Sequence, residues 1–82
     1  MVSPTWMFEV YYRPPSDPVR EARIFELVGA NGGRLDFREA PEVDGSSYVC
    51  LTYEFDELPA AEAAAHQIRT LGEHVEGPVE YG

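Results

Sequence analysis

The feature that most constrains this chain is a hydrophobic pattern whose period changes along the sequence. Between Thr5 and Arg13, large apolar or aromatic residues recur at every second position, which is typical of a strand with one apolar face. That face holds Trp6, Phe8, Val10 and Tyr12. Pro14 and Pro15 then end the strand, because proline cannot donate a backbone hydrogen bond to a neighbouring strand.

A helix is predicted after these two prolines. Ser16 and Asp17 carry oxygens that can cap a helix N-terminus, and Pro18 suits the first helical position, where its missing N–H costs nothing. Apolar residues then follow at three- and four-residue spacings, so one face of the helix is expected to pack on a sheet. These residues are Ile24, Leu27 and Val28, with Ala22 and Phe25 alongside. The glycine-rich run 29–33 tolerates positive φ angles, so the helix is expected to end by Gly32.

Period-two alternation returns in the next two segments. In the strand predicted at 34–39, Leu35 and Phe37 are expected to face the helices. The strand predicted at 48–55 directs four apolar side chains the same way, namely Val49, Leu51, Tyr53 and Phe55. Asp44-Gly45, within the intervening segment 41–47, favours a tight hairpin turn because this dipeptide readily adopts positive φ. The second and third strands are therefore predicted to pair antiparallel.

A second helix and a last strand complete the pattern. Residues 56–59 resemble the first helix entrance, with Pro59 near the start, and the helix is predicted over 60–71. Its inward stripe is expected to be Ala61, Ala64, Ala65, Ile68 and Leu71. The segment 74–81 contains strand-forming residues but is interrupted by Gly77-Pro78, which only an edge strand can accommodate.

The order of these elements predicts an α+β fold, a ferredoxin-like βαββαβ sandwich. Its four-stranded antiparallel sheet carries both helices on one face, with the first and third strands central. We expect residues 1–82 to form a single domain, since a chain of 82 residues has room for one modest core. So small a core favours a binding module or an oligomer over a deep, enclosed active site.

The charge balance excludes several classes of function. Arginine supplies all six basic residues against fifteen acidic ones, and the formal net charge is −9. A phosphate backbone would be repelled, so no nucleic-acid partner is expected. Because lysine is absent, Schiff-base chemistry and a phosphate-binding P-loop lysine are excluded as well.

Cysteine usage and hydropathy predict the compartment. Cys50 stands alone and can form no internal disulfide, which is typical of a reducing cytoplasm. The first six residues have neither the charged nor the apolar region of a secretory signal, and no run of about 18 apolar residues occurs. We therefore expect the protein to be soluble and cytoplasmic, with no membrane partner and no cofactor.

The first half of the sequence resembles an ACT domain. The resemblance rests on Asp17-Pro18-Val19, on the amphipathic helix that follows, and on the turn Gly29-Ala30-Asn31-Gly32-Gly33 before a strand. Val19 stands where that family has a glycine after the proline, and Asp17 directly precedes Pro18, where the family has one residue between them. The resemblance covers residues 6–55 and implies a βαββαβ fold, dimerisation, and binding of amino acids or other small effectors.

The sheet face away from the helices, called the open face here, is the predicted binding or self-association surface. Tyrosine and arginine commonly anchor interfaces, and large side chains are expected on this face. By alternation it holds Met7, Glu9, Tyr11, Arg13, Arg34, Asp36, Arg38, Tyr48, Cys50, Thr52 and Glu54. The alternative is an ordinary solvated face stabilised by cross-strand ion pairs.

A two-fold homodimer through the open face is the predicted assembly. In such a dimer the arginines of one copy would meet the carboxylates of the other, since a two-fold interface pairs each patch with itself in reverse. The arginines in question are Arg13, Arg34 and Arg38, and the carboxylates are Glu9, Asp36 and Glu54.

A small dimeric enzyme of the isomerase or monooxygenase type is the alternative function. Tyr11, Arg13, Tyr48 and His66 are the side chains that could serve it. An enclosed cleft lined by His, Tyr and Arg would favour the enzyme, and a flat or covered face the binding module. No residue is assigned as catalytic, because Cys50 lies mid-strand, where a soft packing residue is common, and neither Ser46 nor Ser47 has a nucleophile motif.

Two further patterns involve histidine and glutamate. Glu62 and His66 share one helix face, and His74 has Glu73 and Glu76 close by, but no motif fixes a third metal ligand, so no metal site is assigned. Glu73, Glu76 and Glu80 form an acidic tail without arginine. We expect this tail to be solvated surface, whose removal leaves stability within about 0.5 kcal/mol.

Overall fold

The computed structural model describes residues 3–41 and 48–81. Its elements, in chain order, are β1 (Thr5–Tyr12), α1 (Pro18–Ala30), β2 (Arg34–Glu39), β3 (Val49–Phe55), α2 (Leu58–Thr70) and β4 (His74–Tyr81). Each predicted helix and strand is present, with ends shifted by no more than two residues. The predicted Asp44-Gly45 turn lies outside the described residues.

The four strands form one antiparallel sheet in the order β2-β3-β1-β4. The ferredoxin-like α+β arrangement is therefore confirmed, with β1 and β3 central. β4 lies at an edge of the sheet, where a proline is tolerated because its missing N–H interrupts no hydrogen bonds between inner strands. Gly77, which precedes Pro78, has a φ of 113°. The β1–β4 register shifts between Met7 and Glu9.

Local capping explains where α1 begins and ends. The Asp17 carboxylate accepts a hydrogen bond from the backbone N–H of Arg20 at 3.0 Å, as an N-cap does. At the other end, Gly33 N–H donates to the Val28 carbonyl at 2.9 Å, and the intervening Gly32 has a φ of 81°. These contacts satisfy helix-end groups and turn the chain directly into β2.

The core lies between the sheet and the two helices. Its buried residues are Phe8, Val10, Tyr12, Ile24, Val28, Val49, Leu51, Tyr53, Phe55, Ala61, Ala64, Ala65, Ile68 and Val75. Three helix residues expected to face inward are instead exposed, Ala22 and Phe25 on α1 and Leu71 at the end of α2. Phe25 lies one position beyond buried Ile24, a rotation of about 100° that carries it off the packed face. Leu71 is the C-cap residue, past the last turn that contacts the sheet.

A β-bulge in β2 overturns the predicted facing of two residues. Leu35 lies opposite Tyr53, but the register shifts before Phe37, which lies opposite Thr52. The extra residue, Asp36, reverses the alternation for the rest of the strand. Phe37 is therefore on the open face, where it is 58% exposed, and not against the helices.

Arg38 moves the opposite way and does not lie on the open face. It lies opposite buried Leu51, and its guanidinium donates to both carboxylate oxygens of Glu21 on α1, each at 2.8 Å. It also donates to Ser16 Oγ at 3.1 Å. Arg38 thus ties an edge strand to the start of α1 and is unavailable as an interface residue on the open face.

Glu73 departs from the expected solvated tail. Its side chain is only 8% exposed and accepts a hydrogen bond from Arg20 Nε at 2.8 Å, while its Oε1 is buried without a hydrogen-bond partner. The guanidinium of Arg20 also lies 4.7 Å from the ring centroid of Tyr12. Glu73 therefore belongs to a structural ion pair between α1 and the turn that precedes β4.

We expect Glu73→Ala to lower the free energy of unfolding by about 1–2 kcal/mol, because Arg20 loses a charged hydrogen bond and its packing over Tyr12 loosens. Glu80→Ala removes the same charge from an exposed position on β4 and should change stability by no more than about 0.5 kcal/mol. Urea denaturation of both variants provides the measurement. Equal effects would mean that Glu73 acts only through net charge.

Candidate binding face

The register places four cross-strand rows of side chains on the open face. Alternate residues of the central strands define it, and the bulge adds Phe37 and Glu39 from β2. As found, the open face comprises Thr5, Met7, Glu9, Tyr11, Arg34, Asp36, Phe37, Glu39, Cys50, Thr52, Glu54, His74, Glu76, Val79 and Tyr81. Arg13 and Tyr48 adjoin it at the end where Tyr11 lies.

One end of the open face is tied together by contacts within the chain. Thr5 Oγ1 donates to Glu54 at 2.7 Å, and Arg34 lies 3.2 Å from Glu54 and 3.1 Å from Asp56. The Tyr81 hydroxyl donates to Asp36 at 2.5 Å, which links the two edge strands across the sheet. Arg34, Asp36 and Glu54, predicted to pair across a dimer, thus already have partners in their own chain.

The two edge strands of the open face each carry an exposed apolar side chain. Phe37 on β2 and Val79 on β4 are each more than half exposed. Met7 lies directly opposite Val79 and is partly exposed. Thr52 is the exception among the predicted residues, because it is buried beneath its neighbours and can contribute little to binding.

A cleft of about 600 Å³ occupies the other end of the open face. It is lined by Tyr11, Tyr48, His74 and Glu76. His74 lies opposite Tyr11 in the β1–β4 register, with the two ring centroids 6.0 Å apart. Antiparallel pairing of residues far apart in sequence therefore brings two tyrosines, a histidine and a carboxylate together.

Glu9 lies beside this cleft and accepts hydrogen bonds from two neighbouring side chains. One carboxylate oxygen accepts from the Tyr11 hydroxyl at 2.9 Å, and the other accepts from Cys50 Sγ at 3.6 Å. The hydrogen bond to Glu9 raises the pKa of Tyr11 well above its usual value, and burial raises the pKa of the Cys50 thiol. Both groups are therefore protonated at neutral pH, so neither is an activated nucleophile there.

His74 and Glu76 form the cleft's outer rim. His74 Nε2 lies 2.9 Å from Glu76 Oε2, and both side chains are largely exposed. Glu76 lies directly opposite Glu9 in the β1–β4 register. On the other side, the Arg13 guanidinium lies 5.6 Å from the ring centroid of Tyr48. The cleft thus combines aromatic walls with one carboxylate in its lining, Glu76, and a second, Glu9, opposite it in the sheet.

The structure separates the residues proposed for an enzyme. Tyr11 and Tyr48 line the cleft and Arg13 lies against the Tyr48 ring, but His66 is exposed on α2, in the layer on the opposite side of the sheet. His74 takes a place at the cleft instead. Period-two alternation along β4 could have identified it, because His74 and Glu76 fall two residues apart on one face. Within residues 3–41 and 48–81, no group of three His, Cys, Asp or Glu side chains could hold a metal ion.

A polar cluster on the helix side of the sheet is held by Glu21. Its carboxylate accepts from Arg38 and from the Tyr12 hydroxyl, which in turn accepts from the Asp17 backbone N–H at 2.9 Å. The Arg38 guanidinium lowers the pKa of the Glu21 carboxyl; burial opposes this shift and the Tyr12 hydrogen bond adds to it. The ionised form of Glu21 therefore stabilises the folded chain.

A depressed carboxyl pKa predicts how stability depends on pH. The contribution of Glu21 is fully present above the unfolded glutamate pKa of about 4.3 and is lost as the pH falls through the lower folded value. We expect Arg38→Gln to cost about 0.5–1 kcal/mol at pH 7, given its partial exposure, and progressively less as the pH falls below about 4. Urea denaturation at several pH values between about 2.5 and 7 measures this difference in the free energy of unfolding, with a precision on the order of tenths of a kcal/mol. Arg23→Gln on α1 is the matched control, and a pH-independent Arg38 effect would contradict the assignment.

A second groove, of about 390 Å³, lies between α1 and β2. Its lining is mostly apolar and includes exposed Phe25 and Leu35 above buried Leu51 and Tyr53. The Glu21 carboxylate borders it but is already engaged by Arg38 and Tyr12. The groove therefore offers mainly apolar surface, and the carboxylate that borders it is already paired.

Comparison with known proteins supports the fold and adds no function. No family model matches the chain, and no curated protein matches its sequence. Among solved structures, the chain is similar to a de novo designed protein, Foldit4, with a TM-score of 0.62 and 16% sequence identity over 89% of this chain and 90% of the designed one. At this identity the similarity concerns the fold alone. No helix in the described part of the chain is long and apolar enough to span a membrane.

Proposed function

We propose that this protein is a non-enzymatic interaction domain, ACT-like in its use, that self-associates through the open face and binds a small effector there. The observation that carries the self-association is the exposure of Phe37 and Val79, on the two edge strands of a sheet face that neither α1 nor α2 covers. Large exposed apolar side chains grouped on one face commonly mark an interaction surface.

The energetics of a small domain also support an assembly. The core holds fourteen buried hydrophobic residues, five of them alanine or aromatic residues with polar tips. Burial of Phe37, Val79 and Met7 against a second copy would add apolar contact that the monomer does not have. Of the three arginines expected at the interface, Arg34 and Arg38 form ion pairs inside the chain, and Arg13 forms none with the described residues, so we assign Arg13 to meet Glu9 of a second copy.

Sedimentation equilibrium of the unmodified protein tests this proposal. We expect an average mass approaching twice the 9.2 kDa of the chain, with dissociation in the micromolar range typical of specific interfaces. A 9.2 kDa species that persists to about 100 μM would overturn the self-association. A thermal-shift screen of metabolites tests effector binding separately, since any ligand of the folded state raises the melting temperature.

The cleft gives the enzyme alternative one specific observation in its favour. His74 and Glu76 form a histidine–carboxylate pair beside Tyr11, an arrangement that can orient a general base. Its exposure to water and the protonated state of Tyr11 and Cys50 favour binding over chemistry. Turnover of a metabolite by the purified protein, abolished in Tyr11→Phe, would replace the binding function with the enzyme.

A further inference from the structure

The walls of the cleft on the open face are aromatic. Tyr11 and Tyr48 line it, and the faces of phenol rings carry the negative end of a quadrupole, which attracts cations. The chain itself provides an example, because the Arg13 guanidinium lies 5.6 Å from the centroid of the Tyr48 ring. A cationic ligand would therefore meet a ring, that of Tyr48, which already contacts a cation in this chain.

The charge beside these walls is negative. Glu9 and Glu76 lie directly opposite each other on β1 and β4, where like charges repel. Glu9 accepts hydrogen bonds from two neutral groups, Tyr11 and Cys50, and Glu76 lies 2.9 Å from His74 Nε2. Within the described residues no arginine lies in ion-pair range of either carboxylate. A cation placed between them would relieve this repulsion.

We propose that this cleft binds a small organic ammonium ion. The proposal rests on the small-effector half of the proposed function and names its ligand class. A volume of about 600 Å³ falls within the range of small-molecule sites, and aromatic walls with nearby carboxylates recognise substituted ammonium groups. The overall charge of −9 draws cations toward the protein and disfavours anionic ligands.

A pair of probes of equal shape tests the charge requirement. Choline carries a trimethylammonium group, and 3,3-dimethylbutan-1-ol has the same shape without the charge. In ligand-observed NMR titrations, which need only low micromolar protein, we expect choline to bind with a millimolar Kd, roughly five- to tenfold tighter than the neutral alcohol. The titration is made at a protein concentration below the dimerisation range, so that the cleft stays uncovered.

Three charge variants locate the site. Glu76→Gln should weaken choline binding by roughly three- to tenfold. Glu80→Gln is the same change on the face of β4 that points toward the helices, and it should change the Kd for choline by no more than about twofold. Arg13→Gln removes the chain's own competing cation and should tighten binding by about two- to threefold. Opposite effects at positions 13 and 76 cannot arise from a general loss of structure.

The outcomes separate this inference from the function on which it rests. Equal binding of choline and the neutral alcohol would overturn the ammonium assignment but keep a small-molecule site. Equal weakening by Glu76→Gln and Glu80→Gln would show attraction by net charge alone and overturn the cleft. Absence of choline binding up to about 50 mM would also overturn it, while the metabolite screen and sedimentation still decide the proposed function.

Discussion

Replacement of Gly33 by alanine is expected to lower the free energy of unfolding by about 2–3 kcal/mol. A Cβ atom at this position would lie 2.4 Å from Cε2 and 2.5 Å from Cζ of Phe55. The Phe55 ring is fully buried and packs 5.3 Å from the ring of Phe8, so it cannot yield without disturbing the centre of the core. Overpacking of this kind forces side chains out of their preferred rotamers.

Gly29 offers a matched control in the same helix–strand segment. An added Cβ there meets nothing within 4 Å, and the residue lies in α1. Gly29→Ala should therefore be neutral or stabilising by up to about 1 kcal/mol through helix propensity. If the Gly33→Ala variant proved as stable as the Gly29→Ala variant, the inference that Phe55 leaves no room for a Cβ atom at position 33 would be wrong. Shortening of the ring by Phe55→Leu in the Gly33→Ala background should recover part of the loss, which a double-mutant cycle measures.

Combined replacement of Tyr11 and Tyr48 by aspartate is expected to convert the proposed dimer to a monomer. The change removes two aromatic contacts per copy and adds two negative charges beside Glu9 and Glu76, in a chain whose net charge is already −9. In a two-fold interface every added charge occurs twice, once in each copy, so four negative charges are added to the interface. At about 50 μM, the average mass should fall to that of one chain.

Phe25→Asp is the control for this experiment. Phe25 is about as exposed as Tyr48, but it lies on α1, on the helix side of the sheet. Its replacement should leave the mass of the dimer unchanged, and far-UV circular dichroism should show each variant folded. Should the double aspartate variant unfold, Tyr11→Ser with Tyr48→Ser removes the same rings without added charge. A dimer that survives in a folded double variant would place the interface elsewhere.

The element order could be predicted from the sequence because its signals are local. Pro14 and Pro15 end a strand, Asp17 and Pro18 begin a helix, and each signal acts within a few residues. The buried faces of β1, β3 and α2 follow from periods of 2 and about 3.6 residues, which also depend only on the chain's own geometry. The same alternation predicted Tyr11 and Tyr48 for the open face, and both line the cleft at one end of it.

The tertiary structure decided which side chains meet. A single bulged residue exchanged the faces of Phe37 and Arg38, since the side-chain alternation reverses when one strand gains a residue relative to its partner. Glu73 became buried because Arg20, fifty-three positions earlier, packs against it. His74 entered the cleft because β4 pairs with β1 in one register. Alternation fixes a side chain's face within its own strand, but register between distant strands depends on the packing of the whole sheet, and that register assembled the cleft.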